Sequence, residues 1–287
     1  MLDETGVPVH NLALEGSAAL GLRRGTWTPK SGGHPKTEAL SAEAVNAVLL
    51  DRYLEVLDPD ALVHIARTER CGALSRLFVP AVDDTYLQSR VRVMLVGKEP
   101  RAWRGTLQAW ATPEQTRNTL RDDLVAGMRR HQAQSASRHG TSKFLQFRAE
   151  LRARLDEHVG ADNTAIFWTN ALCVSLNTRS PAAACHFKPL LVLSQQLLRI
   201  QLDVLQPDVV LFSTGYGYDD YIKPLLPKRT RLDGFVHKRF WPFETPSFTA
   251  YRFRHPQVHT RAERKEVIDT VVARIEAIAH TLSMING

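Results

Sequence analysis

Cysteine is scarce in this chain, with Cys71, Cys173 and Cys185 the three copies in 287 residues. They lie far apart and form no CxxC pair, so neither a zinc site nor a four-cysteine iron–sulfur cluster can be built from them alone. Their spacing predicts reduced, mostly buried thiols in a cytosolic protein. No run of 18 apolar residues exists, so no transmembrane helix is expected. The opening MLDETGVPVHNLALEG lacks the basic start and apolar core of a secretion signal. There is no GxxxxGK[ST] and no GxGxxG at the first strand turn, which argues against an NTPase or a dinucleotide enzyme. No internal repeat is visible.

Positive charge is what the chain has in excess. The formal net charge is +7 and the pI about 9.5, consistent with an anionic partner such as nucleic acid. The excess is local. Arg101–Gly160 holds 11 Arg and Lys against 6 Asp and Glu, and Lys223–Arg239 holds 6 against 1, each a net of +5. Charge runs are ordinarily solvated faces, so these become informative only where they flank a site.

Val91 to Trp110 organises the rest. Its apolar run, Val91, Val93, Met94, Leu95 and Val96, predicts a strand buried on both faces. Gly97-Lys98-Glu99-Pro100 stops it at once and delivers a carboxylate to the carboxyl edge of a sheet, where open α/β sheets keep their sites. Proline stiffens that turn. By itself this is an ordinary strand-to-loop junction.

Before it, residues 1–38 read as an irregular arm. Ser41 caps a helix running to about Leu57, and a second helix is expected over 61–77. These belong to a segment 1–85 packed on a core of 86–287. After the strand, Thr112-Pro113-Glu114 predicts a helix start, with helix to about His131 and a polar loop over 132–141. A helix over 142–158 ends at Gly160. Strands are expected at Ala165–Asn170, Val209–Phe212 and Phe248–Phe253, with helices at about 189–205, from 218 and over 260–283, and a basic loop over 223–239. Strands alternating with helices predict a three-layer α/β/α sandwich with a mostly parallel sheet.

Three strands then end in chemically loaded residues: Glu99, Asn170 and His255. A carboxylate, a carboxamide and an imidazole at one edge can activate water, read a base and stabilise an anionic leaving group. Each alone has an ordinary explanation, Asn170 as a turn residue and His255 as a satisfied loop histidine; the coincidence carries the argument.

The order of these motifs resembles the uracil-DNA glycosylase superfamily. GKEP at Gly97–Pro100 is similar to its first motif, IFWTNALCV to its middle strand ending in Asn, PDVVLFSTG to a strand ending in glycine, and His255-Pro256-Gln257 to its late His-Pro motif. The likeness covers Val91 to the C-terminus. It implies a monofunctional DNA glycosylase that flips a pyrimidine and hydrolyses its N-glycosidic bond. Glu99 would orient or deprotonate water at C1′ and His255 would donate to the base O2 as charge builds there. Asn170 would bond the base edge, with Gly97, Lys98 and Arg101 around it. Trp110 would stack on the base, with Trp103 in reserve, although core packing explains either. Lys238, Arg239, Arg252 and Arg254 would meet phosphates, and His259 and Arg261 would enter the groove.

The departures shape the expected substrate. Glu99 is one methylene longer than the usual acid, Gln257 replaces a phosphate-contacting Ser, and Arg101 stands where uracil-specific members carry a Tyr that blocks the 5-position. Losing that wall admits a 5-substituent, which a guanidinium can bond. The resemblance extends to branches that act against phages carrying glucosylated hydroxymethylcytosine. A carboxamide at Asn170 serves uracil or cytosine equally by flipping, so plain uracil or mismatched thymine stays open. So does an inactive DNA-binding relative. A Schiff-base role for Lys98 and a nucleotide-processing enzyme carry less weight. The expectation is a cytoplasmic monomer acting on DNA with no cofactor, metal or membrane.

Overall fold

The computed structural model describes residues 41–101, 103–112, 114–136 and 142–286; the expected arm over 1–38 lies outside them. Helix α1 (Ala42–Val56) starts where Ser41 Oγ accepts from Ala44 N at 3.2 Å. Helix α2 (Pro59–Thr68) is capped by Asp58. It ends well short of Leu77: Leu74 and Ser75 instead bridge Leu176 and Thr106 in extended chain. Leu74, Leu77 and Val79 are still buried, so their apolar spacing fits either conformation.

Short α3 (Asp84–Gln88) leads into β1 (Val91–Gly97), followed by the single turn α4 (Leu107–Trp110). Helix α5 (Arg117–Ala136) begins later than Thr112–Glu114 suggests, because Thr116 Oγ1 accepts from Thr119 N at 3.3 Å and caps it there. It also consumes the first half of the expected polar loop; residues 137–141 are outside the description. Helix α6 (Lys143–His158) is capped by Ser142 and closed by Gly160 at φ +100°. Then come β2 (Thr164–Asn170), α7 (Phe187–Leu205), β3 (Val209–Phe212), the short α8 (Asp219–Ile222), β4 (Thr230–Arg231), β5 (Phe240–Glu244), β6 (Thr249–Phe253) and α9 (Arg261–Asn286).

The strands form one sheet in the order β2-β1-β3-β6-β5-β4. β1 pairs parallel with β2 and β3, and β3 with β6. β5 and β4 continue antiparallel, so the segment expected as a basic loop is partly a hairpin on the sheet edge. Alternation along β1 separates two cores. Met94 and Val96 face α1, α5 and α7, whereas Val91, Val93 and Leu95 face α6 and α9. The fold is an α/β/α sandwich. Leu49 and Tyr53 of α1 are fully buried in the first of these cores, beside Val210 and Phe212.

One expectation fails on the cysteines. Cys71 and Cys185, 114 residues apart, are disulfide-bonded, and only Cys173 is a buried free thiol, which burial pushes up to about 11. Glu69 sits beside the bond and accepts from the backbone N–H groups of Cys71 at 2.8 Å and Cys185 at 3.1 Å. A pairing across that distance cannot be read from spacing. Among the described residues no helix is long and apolar enough to cross a membrane.

Candidate active site

Because β2, β1, β3 and β6 run parallel, their carboxyl ends share one edge, and Asn170, Gly97–Glu99, Ser213–Gly215 and Arg254–His255 gather there. Register puts Gly97 directly beside Asn170. A Cβ on Gly97 would lie 2.6 Å from Asn170 Oδ1 and 3.1 Å from Phe144 Cε2, so only glycine lets both side chains close over this backbone. Asn170 is 9% exposed. Its amide makes no hydrogen bond with the described residues, which leaves both ends for a ligand.

Glu99 is held from the far side of β3. Gly215 (φ +75°) turns the chain under His255, and the following turn brings Tyr218 back, where its hydroxyl donates to Glu99 Oε2. Burial, reinforced by the Glu99 charge, pushes the Tyr218 phenol far above its ordinary value. The hydroxyl therefore stays a donor. Lys98 Nζ lies 5.4 Å from the Tyr218 ring.

His255 sits on β6's exit. Burial, then the Lys98 and Arg101 charges, push its imidazole down to about 4, so it is neutral at pH 7. Its Nδ1 accepts from Gln257 N at 3.2 Å. That bond assigns the proton to Nε2, which is the tautomer needed to donate to a ligand oxygen. Phe144 lies against the same imidazole, ring centroids 6.4 Å apart and planes 13° from parallel. His255, Lys98, Thr214, Tyr218 and Arg254 border an open cleft of about 590 Å³. Arg101 Nη2 donates to Gln257 Oε1 at 2.9 Å and ties the first motif loop to the last.

The expected stacking residues are elsewhere. Trp110 is 6% exposed in the first core, on the turn packed against α2, and Trp103 is 4% exposed against Phe78 in the other core. Phe144 is the aromatic ring that reaches Gly97 and His255. It was missed because, at helical spacing with Phe147 and Leu151, it reads as ordinary core.

Of the expected phosphate contacts, Lys238, Arg239 and Arg254 line the cleft. Arg254 also donates to Glu263 at 3.4 Å. Arg252 does not belong with them. It is 2% exposed and pairs with buried Asp219, Nη2 donating to Oδ2 at 3.0 Å. Its place inside β6 holds it under the Tyr216 and Trp241 rings beside Asp219, whereas Arg254 lies just past the strand end. His259 is half-buried, and burial lowers its pKa. Arg261 is exposed at the start of α9. His131, by contrast, is structural: it takes Ala81 N on Nδ1, bonds the Trp168 carbonyl through Nε2, and burial pushes it down to about 3.

No protein-family model matches the chain, and no curated protein matches it.

Proposed function

We propose that this protein is a DNA glycosylase of the uracil-DNA glycosylase type, which flips a modified pyrimidine out of DNA and hydrolyses its N-glycosidic bond. The observation that carries the reading is His255, neutral and with Nε2–H free, on the sheet edge that also holds Glu99 and Asn170. In this reading Glu99, steadied by Tyr218, orients the attacking water at C1′. His255 donates to the base O2 as the base leaves as an anion. Asn170 bonds the base edge, and Phe144 takes the stacking role given to Trp110. Lys238, Arg239 and Arg254 hold the phosphates.

A 5-substituted cytosine is the favoured base. With Arg101 tied to Gln257 instead of closing on the base, no aromatic wall follows Pro100, and the open cleft beside His255 leaves space for a substituent such as a glucosylated hydroxymethyl group. The biological setting in this reading is a cytoplasmic monomer acting against phage DNA.

The experiment is a panel of DNA substrates with one uracil, mismatched thymine, 5-hydroxymethylcytosine or its glucosylated form, abasic sites being revealed by mild alkali. Cleavage confined to the glucosylated base supports the reading. Cleavage of uracil alone moves it to repair. Excision fully retained in a Glu99→Ala, His255→Ala double variant overturns the mechanism, and no abasic site anywhere, with DNA binding intact, leaves a binding relative.

A further inference from the structure

The hairpin added to the sheet edge and the turns after β3 and β6 together carry an unusual surface. Tyr216 (49%), Phe235 (39%), Val236 (49%) and Val258 (53%) are large apolar residues left exposed, and they lie on or beside the cleft. Cations are interleaved with the rings: Lys238 is 5.4 Å from the Tyr216 ring, Arg231 5.1 Å from Phe235 and Arg229 5.5 Å from Trp241.

Between these rings a second cavity of about 190 Å³ opens, sharing Tyr216, His237 and Lys238 with the main cleft. It is smaller than the roughly 300–1,000 Å³ of whole-ligand sites, a size that suits one ring system. Phe235 and Trp241 wall it, and Arg252 lines it. The Arg252 guanidinium is sealed from water between the Tyr216 and Trp241 rings, 6.0 and 5.8 Å from their centroids, and its Nη1 has no hydrogen-bond partner among the described residues. Its Nε lies 2.9 Å from Asp219 Oδ1, an ion-pair contact that is off the hydrogen-bond line.

We infer that this face binds unpaired DNA beside the target nucleotide, one flanking base entering the second cavity and stacking between Tyr216 and Phe235. Phosphates of the same strand lie on Lys238, Arg231 and Lys223. A duplex keeps its base faces stacked inside and has none to offer an exposed ring, whereas a single strand presents both faces and backbone. The substrate is thus DNA locally single-stranded. The inference rests on the proposed function only for the choice of DNA.

The test is titration of the full chain with a short labelled single strand and with a hairpin duplex of the same sequence, neither holding a modified base, followed by fluorescence anisotropy. The single strand is expected to bind about tenfold tighter or more. Phe235→Ala should weaken it roughly 5- to 100-fold while changing duplex binding less than about twofold, and Phe235→Tyr should restore it. Phe235 is outside the main core, so the fold survives its loss. Equal or tighter duplex binding, a Phe235→Ala loss that is the same on both or absent from both, or tighter binding of the matching RNA overturns the inference. Nothing is excised in this assay, so an inactive glycosylase leaves its outcome intact, and a failed strand preference leaves the excision assay standing.

Discussion

Tyr218 donates its hydroxyl to Glu99 across 119 residues of sequence, so the acid ending the first strand is fixed by a turn that follows the third. A carboxylate so held has one oxygen committed and one free for water. Tyr218→Phe keeps the ring and removes that bond. A hydrogen bond to a charged group is worth about 1.5–3 kcal/mol, so kcat for excision should fall about 10- to 100-fold with KM little changed. Single-turnover kinetics check this; an unchanged kcat removes Tyr218 from the site.

The pH response follows from His255. Its folded value, about 4, lies below the unfolded 6.5, so the unfolded chain takes up the proton first as pH falls. This stability is whole above pH 6.5 and is lost between 6.5 and 4, about 3 kcal/mol in all. Buried His131, lowered to about 3, adds in the same direction. Denaturant midpoints should therefore drop steeply from pH 6.5 to 4, and less steeply in His255→Asn. Two-dimensional NMR of the imidazoles should find His255 neutral at pH 6.

Gly97 is the narrow point beneath the Asn170 and Phe144 side chains. Gly97→Ala drives a methyl into Asn170 and Phe144, costing about 1–3 kcal/mol of stability. Because it displaces the amide, excision should suffer more than the melting temperature. Thermal shift and excision measured on one preparation separate the two.

Two arginines two residues apart should behave oppositely. Arg252→Ala leaves Asp219 buried without its cation and should cost about 3–5 kcal/mol of stability. Arg254→Ala should leave melting nearly unchanged, since its Glu263 contact is half-exposed, and reduce the slope of log affinity against log salt by about 1. A salt slope unchanged in Arg254→Ala and in Lys238→Ala would remove this cleft as the phosphate track.

The Cys71–Cys185 bond closes a loop that holds β1 and β2. Reduction should lower stability by about 2–5 kcal/mol. Melting with and without reductant, beside a Cys71→Ser, Cys185→Ser control that responds to neither, measures it. Disulfides are uncommon in reducing compartments, so its state in cells bears directly on where the protein works.

The central strands were legible because parallel strands buried on both faces are continuous apolar runs, as in Val91–Val96 and Val209–Phe212. Gly97, Glu99, Asn170 and His255 were legible because each ends or directly follows an apolar strand run, β1, β2 or β6. The antiparallel hairpin was not: β4 spans two residues and lies in a charged segment, where no period of two can show. Helix α2 stopped early because apolar spacing cannot say whether Leu74 and Leu77 are buried as helix or as extended chain.

Sequence alone therefore determined the layered α/β fold and which residues stand at the sheet's carboxyl edge, since burial period and strand-ending residues are local properties. Tertiary structure decided what those residues touch: Tyr218 on Glu99, Phe144 over Gly97, Arg101 on Gln257, Arg252 turned inward, and Cys71 joined to Cys185. Each of these contacts joins parts of the chain that only packing brings together, so no local pattern in the sequence encodes it.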